Sequence, residues 1–244
     1  MAKGSSMTLD HLVAELSRVY AEGLRSIVLY GSAASGEQVE GRSDYNVLVI
    51  VDRIDRNRLQ QLSDTSRSWI HAGNPLPLTL TQAEWARSAD IFPMEYSDIL
   101  ERHRVLKGEN PFAEIRVAPG DLRLQVEHEA MGTLLRLRAG VMKAGSDAKR
   151  QSALMQDSLS SLMVIFRGFM RLHGELPPRD THLVAEFVAK RASFDVTAFA
   201  RVIALGREGR AIPAADTEPT LDAYVAGMEA LVAYLDAYHL PAQG

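Results

Sequence analysis

The residues best suited to chemistry lie at the ends of two short apolar runs. The first run, 27–30, ends in the small-residue turn Gly31-Ser32, and the second, 47–51, begins just after Asp44 and Asn46. Two apolar runs of this length predict adjacent buried strands. Alternate residues of a strand face the same way, so Asp44 and Asn46 are expected to share one face. A turn that approaches a phosphate, opposite an oxygen ligand for a divalent cation, is the minimum equipment for handling a nucleoside triphosphate.

At these residues the sequence resembles the nucleotidyltransferase superfamily of the DNA polymerase β fold, especially its minimal and aminoglycoside-modifying branches. The family pattern is Gly-Ser, a short spacer and then Asp-x-Asp or Asp-x-Glu within an apolar strand. Gly31-Ser32, Ser43, Asp44 and the run 47–51 match that pattern. Asn46 departs from it, because the family has a second carboxylate at this place.

The resemblance implies Mg²⁺-dependent transfer of a nucleoside monophosphate from a nucleoside triphosphate (NTP) to a hydroxyl group of a small molecule or protein. It assigns nucleotide binding to Gly31, Ser32 and Ser43. It assigns Asp44 to the metal and to catalysis, with Asn46 assisting. Two Mg²⁺ ions about 3.5–4 Å apart need bridging negative charge, and Asn46 offers only a neutral amide oxygen.

The third carboxylate that active family members carry is expected on a neighbouring strand at 76–80. That stretch has Pro77 and Thr79 instead. Glu95 is the expected substitute as a metal ligand, with Asp98 as its alternative, although an ordinary helix or loop carboxylate is the simpler account of both. A second interpretation therefore stays open: a nucleotide-binding or partner-binding protein that performs no chemistry.

Two further motifs lie in the second half of the chain. In aminoglycoside-modifying relatives a carboxylate of the helical domain acts as general base on the acceptor hydroxyl, and Glu127 or Glu129 is the candidate here. Polar residues on a helix are also the ordinary composition of a solvated face. Arg167 and His173 loosely resemble the Arg-His motif of HEPN ribonuclease domains, in which these residues cleave RNA at a dimer interface; a histidine that satisfies helix-terminal carbonyls is the alternative.

Composition limits the remaining classes. With 46% hydrophobic and 24% charged residues in 244, the chain is typical of a globular protein with a proper core. A net charge of -4 argues against a nucleic-acid partner. No cysteine is present, which excludes disulfides and thiolate zinc sites. No signal-peptide core and no charge-free run of membrane-spanning length appear, so no membrane association and a cytoplasmic location are expected, with a homodimer left open.

Periodicity predicts the α+β class, with a nucleotidyltransferase-like mixed sheet domain at 1–117 followed by an all-α helical bundle at 118–244. In the first half the pattern predicts helices at 8–22, 56–72 and 82–89, strands at 25–30, 45–52, 76–81 and 104–107, and no regular element at 90–99. In the second half it predicts helices at 121–143, 147–173, from 180, from 195 and at 220–239, with a loop at 206–219. The second of these helices is apolar nearly all round and is expected at the centre of the bundle.

Overall fold

The structure, a computed structural model, describes residues 7–35 and 45–240, with Ser32 and Ser35 described by their backbone alone. The predicted site residues Ser43 and Asp44 lie outside the described residues. The described residues form two compact units that meet in the chain between Val117 and Ala118. One unit combines strands with helices and the other contains helices, which confirms the α+β class. That each unit is an independently folding domain stays a prediction.

The first unit is built on a mixed sheet. Its described strands are ordered β3-β2-β1-β4, with β1 antiparallel to both β2 and β4 and with β2 parallel to β3. The predicted pairing of the two apolar runs is therefore confirmed. The elements are the strands β1 (Leu24–Tyr30), β2 (Asn46–Val51), β3 (Leu78–Thr81) and β4 (His103–Gly108) and the helices α1 (Leu9–Tyr20), α2 (Arg56–Gln61), α3 (Ser63–His71), α4 (Gln82–Arg87) and α5 (Pro93–Glu101).

The sheet separates two apolar layers of the first unit. Ile27 and Leu29 of β1 pack with residues of α1 and α3. Val28 and Tyr30 face the other way and pack with aromatic residues of α4 and α5. Complete burial of an aliphatic side chain contributes about 1.5–3 kcal/mol, and Ile27, Val28 and Leu29 are all 0% exposed. The residues of β1 that precede the turn at Gly31 are therefore anchored in the most buried part of this unit.

Local sequence signals explain most helix boundaries in this unit. The hydroxyl of Thr8 accepts a hydrogen bond from the backbone N–H of His11 at the start of α1. Thr81 and Glu84 form a capping box at the start of α4. The prediction of one helix at 56–72 is wrong because Leu62, with ψ −1°, interrupts it and turns its buried side chain towards the core.

The sequence missed α5, which occupies most of the stretch that was expected to be irregular. Pro93 is its first residue, where a fixed φ favours helix and the missing N–H costs nothing. Tyr96 and Ile99 then bury one face against the sheet. This helix matters for the site because it carries Glu95 and Asp98.

The second unit is a bundle of the helices α6 (Pro119–Ala144), α7 (Ala148–Leu172), α8 (Thr181–Ala192), α9 (Thr197–Arg207) and α10 (Ala214–Ala237). α7 packs against α6, α8, α9 and α10, which confirms its predicted central place. Phe166 and Phe169 of α7 are fully buried. Among the helices that the structure describes, none is long and apolar enough to cross a membrane.

The start of α10 differs from the prediction, which placed a loop through Pro219. The helix begins at Ala214 and includes Pro219. A proline inside a helix removes one backbone hydrogen bond, and hydroxyl groups on either side support this turn. Thr217 is completely buried and donates to the carbonyl of Pro213 at 2.9 Å, while Thr220 donates to the carbonyl of Asp216 at 2.6 Å.

Gly227 of α10 is predicted to be required for packing of the bundle. A Cβ atom at this position would lie 2.6 Å from Cε2 of the fully buried Phe199. The ring of Phe199 is held by Phe166 and Tyr224, so it has little room to move. Gly227→Ala is expected to lower the free energy of unfolding by about 1–3 kcal/mol, measured by urea denaturation.

Gly206→Ala in α9 is the matched control. Its added Cβ would have Leu159 Cδ2 at 3.9 Å as its nearest neighbour, an ordinary contact. Because alanine favours helix over glycine by up to about 1 kcal/mol, this variant should be as stable as the wild type or more so. Equal stability of Gly227→Ala and the wild type would contradict the packing account.

Candidate functional site

Gly31 and Asn46 lie side by side where β1 ends and β2 begins. Asn46 pairs in register with Tyr30. Gly31 has φ +75°, and a Cβ there would lie 3.5 Å from Nδ2 of Asn46. A positive φ of this size favours glycine. The N–H of Gly31 donates to the carbonyl of Arg102 at 2.9 Å, so a phosphate at this turn has to take its donors from later residues.

Asn74 fixes the start of β2, a contact that the sequence did not reveal. Its Oδ1 accepts a hydrogen bond from the N–H of Tyr45 at 3.0 Å. Its own amide donates to the carbonyl of Trp69 at 3.5 Å, and the Trp69 indole donates to the carbonyl of Pro75 at 2.8 Å. Asn74 therefore holds the backbone one residue before Asn46.

Carboxylates of α5 lie near the same end of the sheet. Burial raises the pKa of Tyr30, and repulsion from Asp98 and then Glu95 raises it further. Tyr30 and Asn46 are paired and occupy the sheet face on which α5 packs. The structure therefore brings three predicted site residues, Gly31, Asn46 and Glu95, to one end of the sheet, together with Tyr30, which the sequence did not single out.

The oxygen donors at this end of the sheet fit magnesium by type. Asn46 offers an amide oxygen, and Glu95 and Asp98 offer carboxylates; Mg²⁺ takes hard oxygen ligands, usually one or two carboxylates plus substrate phosphates. Within residues 7–35 and 45–240, no three or more His, Cys, Asp or Glu side chains are placed to hold a metal ion. A magnesium ion here would therefore depend on Asp44 and on the phosphates of a nucleotide.

Glu127 is placed within the second unit, on α6. Its Oε2 lies 3.0 Å from the guanidinium group of Arg123. Arg123 also donates to the carbonyls of Tyr238 and Leu235, at the carboxyl end of α10. Glu127 lines an open groove of about 1020 Å³ together with apolar residues, including Leu124, of the same helix and with residues of α10. Glu129 does not line this groove.

His173 has a structural role, which argues against the interpretation as an RNA-cleaving residue. Its Nδ1 lies 2.9 Å from the carbonyl of Phe169 and donates to it, because a carbonyl only accepts. Its Nε2 lies 2.7 Å from the hydroxyl of Tyr234. The ring packs between Phe169, Tyr234 and Tyr238. Both nitrogens are thus used inside the bundle, as expected for a histidine that satisfies a helix end.

Among solved structures, the chain is similar to the spectinomycin adenyltransferase AAD(9) from Enterococcus faecialis, crystallised with ATP and spectinomycin. The similarity covers 93% of this chain and 98% of that chain, with a TM-score of 0.58 and 12% sequence identity. The chain therefore has the nucleotidyltransferase-like fold that the sequence predicts. No protein-family model and no curated protein matches the sequence.

His173 is predicted to make the stability of the protein depend on pH. Burial, and to a lesser degree the charge of Arg191, lowers the pKa of His173. The unfolded chain therefore takes up a proton near its usual pKa of about 6.5, whereas the folded chain resists protonation. His173 therefore contributes to the free energy of unfolding at pH values above about 6.5. This contribution is lost as the pH falls towards the lower pKa of His173 in the folded protein.

His173→Gln keeps a hydrogen-bonding group that does not titrate. The free energy of unfolding should therefore fall less between pH 7 and about pH 5 in this variant than in the wild type, measured by urea denaturation at each pH. His71→Gln, at an exposed position of α3, is the control and should behave as the wild type. Identical pH profiles for the wild type and His173→Gln would contradict the account.

Proposed function

We propose that this protein transfers a nucleoside monophosphate from an NTP to a hydroxyl group of a small molecule or protein. The observation that carries the proposal is the likeness, over 93% of the chain, to an enzyme crystallised with both ATP and an acceptor. The convergence of Gly31, Asn46 and Glu95 at one end of the sheet supports it. A cytoplasmic location is part of the proposal.

On the nucleotide side, the left-handed backbone of Gly31 keeps the turn free of a Cβ beside Asn46. Ser32 and Ser43 would then hold the phosphates, as in the family that the sequence resembles. Asp44 and Glu95 would hold Mg²⁺, with the amide oxygen of Asn46 orienting the site. A bound Mg²⁺ would offset negative charge on the triphosphate and on the departing pyrophosphate.

On the acceptor side, the groove that Glu127 lines has the volume of a small-molecule site. In the reaction, the acceptor oxygen bonds to the α-phosphorus while the bond from that phosphorus to the pyrophosphate oxygen breaks. The acceptor proton passes to the carboxylate of Glu127. Arg123 contacts Oε2 of this carboxylate, which fixes its orientation on α6.

Binding without chemistry remains the second candidate function, and one observation favours it. Asn46 replaces a family carboxylate, and the described residues place no three-carboxylate cluster at the sheet edge. A protein of this kind would hold an NTP or a partner at the same edge without transferring a nucleotide. The two candidates differ in whether the α-phosphorus changes its bonding partner.

A transfer assay separates the two candidates. The protein is incubated with Mg²⁺ and each α-labelled NTP, together with hydroxyl-bearing small molecules that include spectinomycin, or with cell extract. Transfer predicts labelled nucleotide on an acceptor and release of pyrophosphate. Label on no acceptor, while NTP binding is retained, would contradict the transfer proposal and support the binding function.

Glu127→Gln tests the general base. Removing a general base typically costs 10²–10⁴-fold in rate, so we expect at least about 100-fold slower transfer with unchanged NTP binding. Glu129→Gln, on the same helix but outside the groove, is the matched control and should retain the wild-type rate. Equal transfer rates for the two variants would contradict the role of Glu127 as general base.

A further inference from the structure

One side of α6 carries a stripe of large apolar side chains that stays open to solvent. Its members are Leu124, Met131, Leu135 and Met142, exposed by 61%, 43%, 55% and 79%. Their spacing of 7, 4 and 7 residues keeps them on one helix face over roughly 27 Å. Exposed apolar side chains aligned in this way are typical of interaction sites. The opposite side of α6 supplies buried residues such as Val126, Ala130 and Leu137 to the bundle.

The stripe is symmetric along the helix. Leu124 and Met142 lie nine residues to either side of position 133, and Met131 and Leu135 lie two residues to either side of it. If a second, identical α6 lies antiparallel across the stripe, every leucine of one copy faces a methionine of the other. A two-fold axis through position 133 generates this pairing, and two-fold interfaces are self-complementary in this way.

Two charged residues beside the stripe are also placed almost symmetrically about position 133. Glu127 and Arg138 lie on the same side of the stripe, six residues before and five residues after position 133. The two-fold axis therefore places Glu127 of one copy opposite Arg138 of the other, twice. In a parallel two-fold arrangement the charged flanks of the two copies would lie on opposite edges of the contact, where Glu127 and Arg138 would not meet.

Glu127 and Arg138 can each form a second ion pair while keeping the ion pair that they form within the chain. Glu127 contacts Arg123, and Arg138 contacts Glu229 at 2.7 Å. The side chains of Arg138 and Glu229 remain about half exposed. Contacts across the two-fold axis would join these pairs into a longer network of alternating charge.

We propose that the partner of this surface is a second copy of the same chain, with the two α6 helices packed antiparallel about position 133. This contact would cover Leu124, Glu127, Met131 and Arg138, which also line the groove assigned above to the acceptor, so an acceptor would reach Glu127 only in the monomer. Because the stripe is only one helix wide, the interface lies at the small end of specific interfaces. Dimerisation should therefore be reversible, with a dissociation constant on the order of micromolar.

Cysteine cross-linking tests the geometry directly, because the chain contains no cysteine. Leu124→Cys and Met142→Cys are both highly exposed, so neither change should disturb folding. A short bismaleimide is added to each full-length variant alone and to an equimolar mixture of the two. Antiparallel pairing predicts cross-linked dimer in the mixture and little in either variant alone, because like positions lie roughly 27 Å apart along the helix.

The outcomes separate the arrangements. Cross-linking of each variant with itself would indicate parallel helices and overturn the proposal. No cross-link in any sample would overturn it as well, and would leave the stripe to a different protein partner.

Sedimentation velocity measures self-association without any linker. Wild type should shift with concentration from the 26.9 kDa monomer towards twice that mass. Leu135→Glu places a carboxylate against Met131 of the second copy and should raise the dissociation constant at least 10-fold. Leu183→Glu, at a 52% exposed position of α8, is the matched control and should dimerise as the wild type does. A wild type that stays monomeric up to about 200 micromolar would refute the proposal, since such an interface should bind more tightly than that.

Discussion

The antiparallel pairing of β1 with β2 is the constraint on which the proposed site depends. Both strands are almost completely buried, so their register is fixed by the two apolar layers that cover the sheet. That register ends at the pair Tyr30 and Asn46, and it sets Gly31 beside the Asn46 amide. A slip of one residue would turn Asn46 to the opposite face, away from α5. The site geometry is therefore a consequence of core packing more than of local loop structure.

The charges around position 46 explain why an asparagine can stand where the family has a carboxylate. Asp98 and Glu95 of α5 already place negative charge near Tyr30, where they add to the effect of burial in raising the pKa of its hydroxyl. A third carboxylate at position 46 would add repulsion at a half-buried place, where charges interact more strongly than in water. A neutral amide avoids that cost in the protein without nucleotide and still offers an oxygen ligand. The amide compensates the charge of two closely spaced cations less well than a carboxylate does, which is why the proposed site uses Asp44, one ion and the nucleotide's own phosphates.

Much of the fold could be predicted from the sequence because its signals are local. Two continuous apolar runs identified β1 and β2, Thr81 and Glu84 marked the start of α4, and the apolar pattern of α7 predicted its place at the centre of the bundle. The errors arose where tertiary packing overrides local signals: Pro93 begins a helix, and Pro219 lies within one. Within the site, Gly31 and Asn46 were accessible to motif reasoning. Asn74 and Tyr30 were not, because their roles depend on neighbours distant in the chain, namely Tyr45 and the carboxylates of α5.

Calorimetric titration of ATP, CTP, GTP and UTP, with and without Mg²⁺, tests the central claim that this end of the sheet holds a metal-bound NTP. Wild type is compared with Asp44→Ala and Asn46→Asp, and thermal unfolding checks that each variant is folded. The account predicts that wild type binds at least one NTP in a Mg²⁺-dependent manner and that Asp44→Ala loses this dependence. Asn46→Asp should bind the Mg²⁺ complex more tightly, because it adds a charged oxygen ligand. Equal Mg²⁺-dependent affinity in wild type and Asp44→Ala, or no binding of any NTP, would contradict the account.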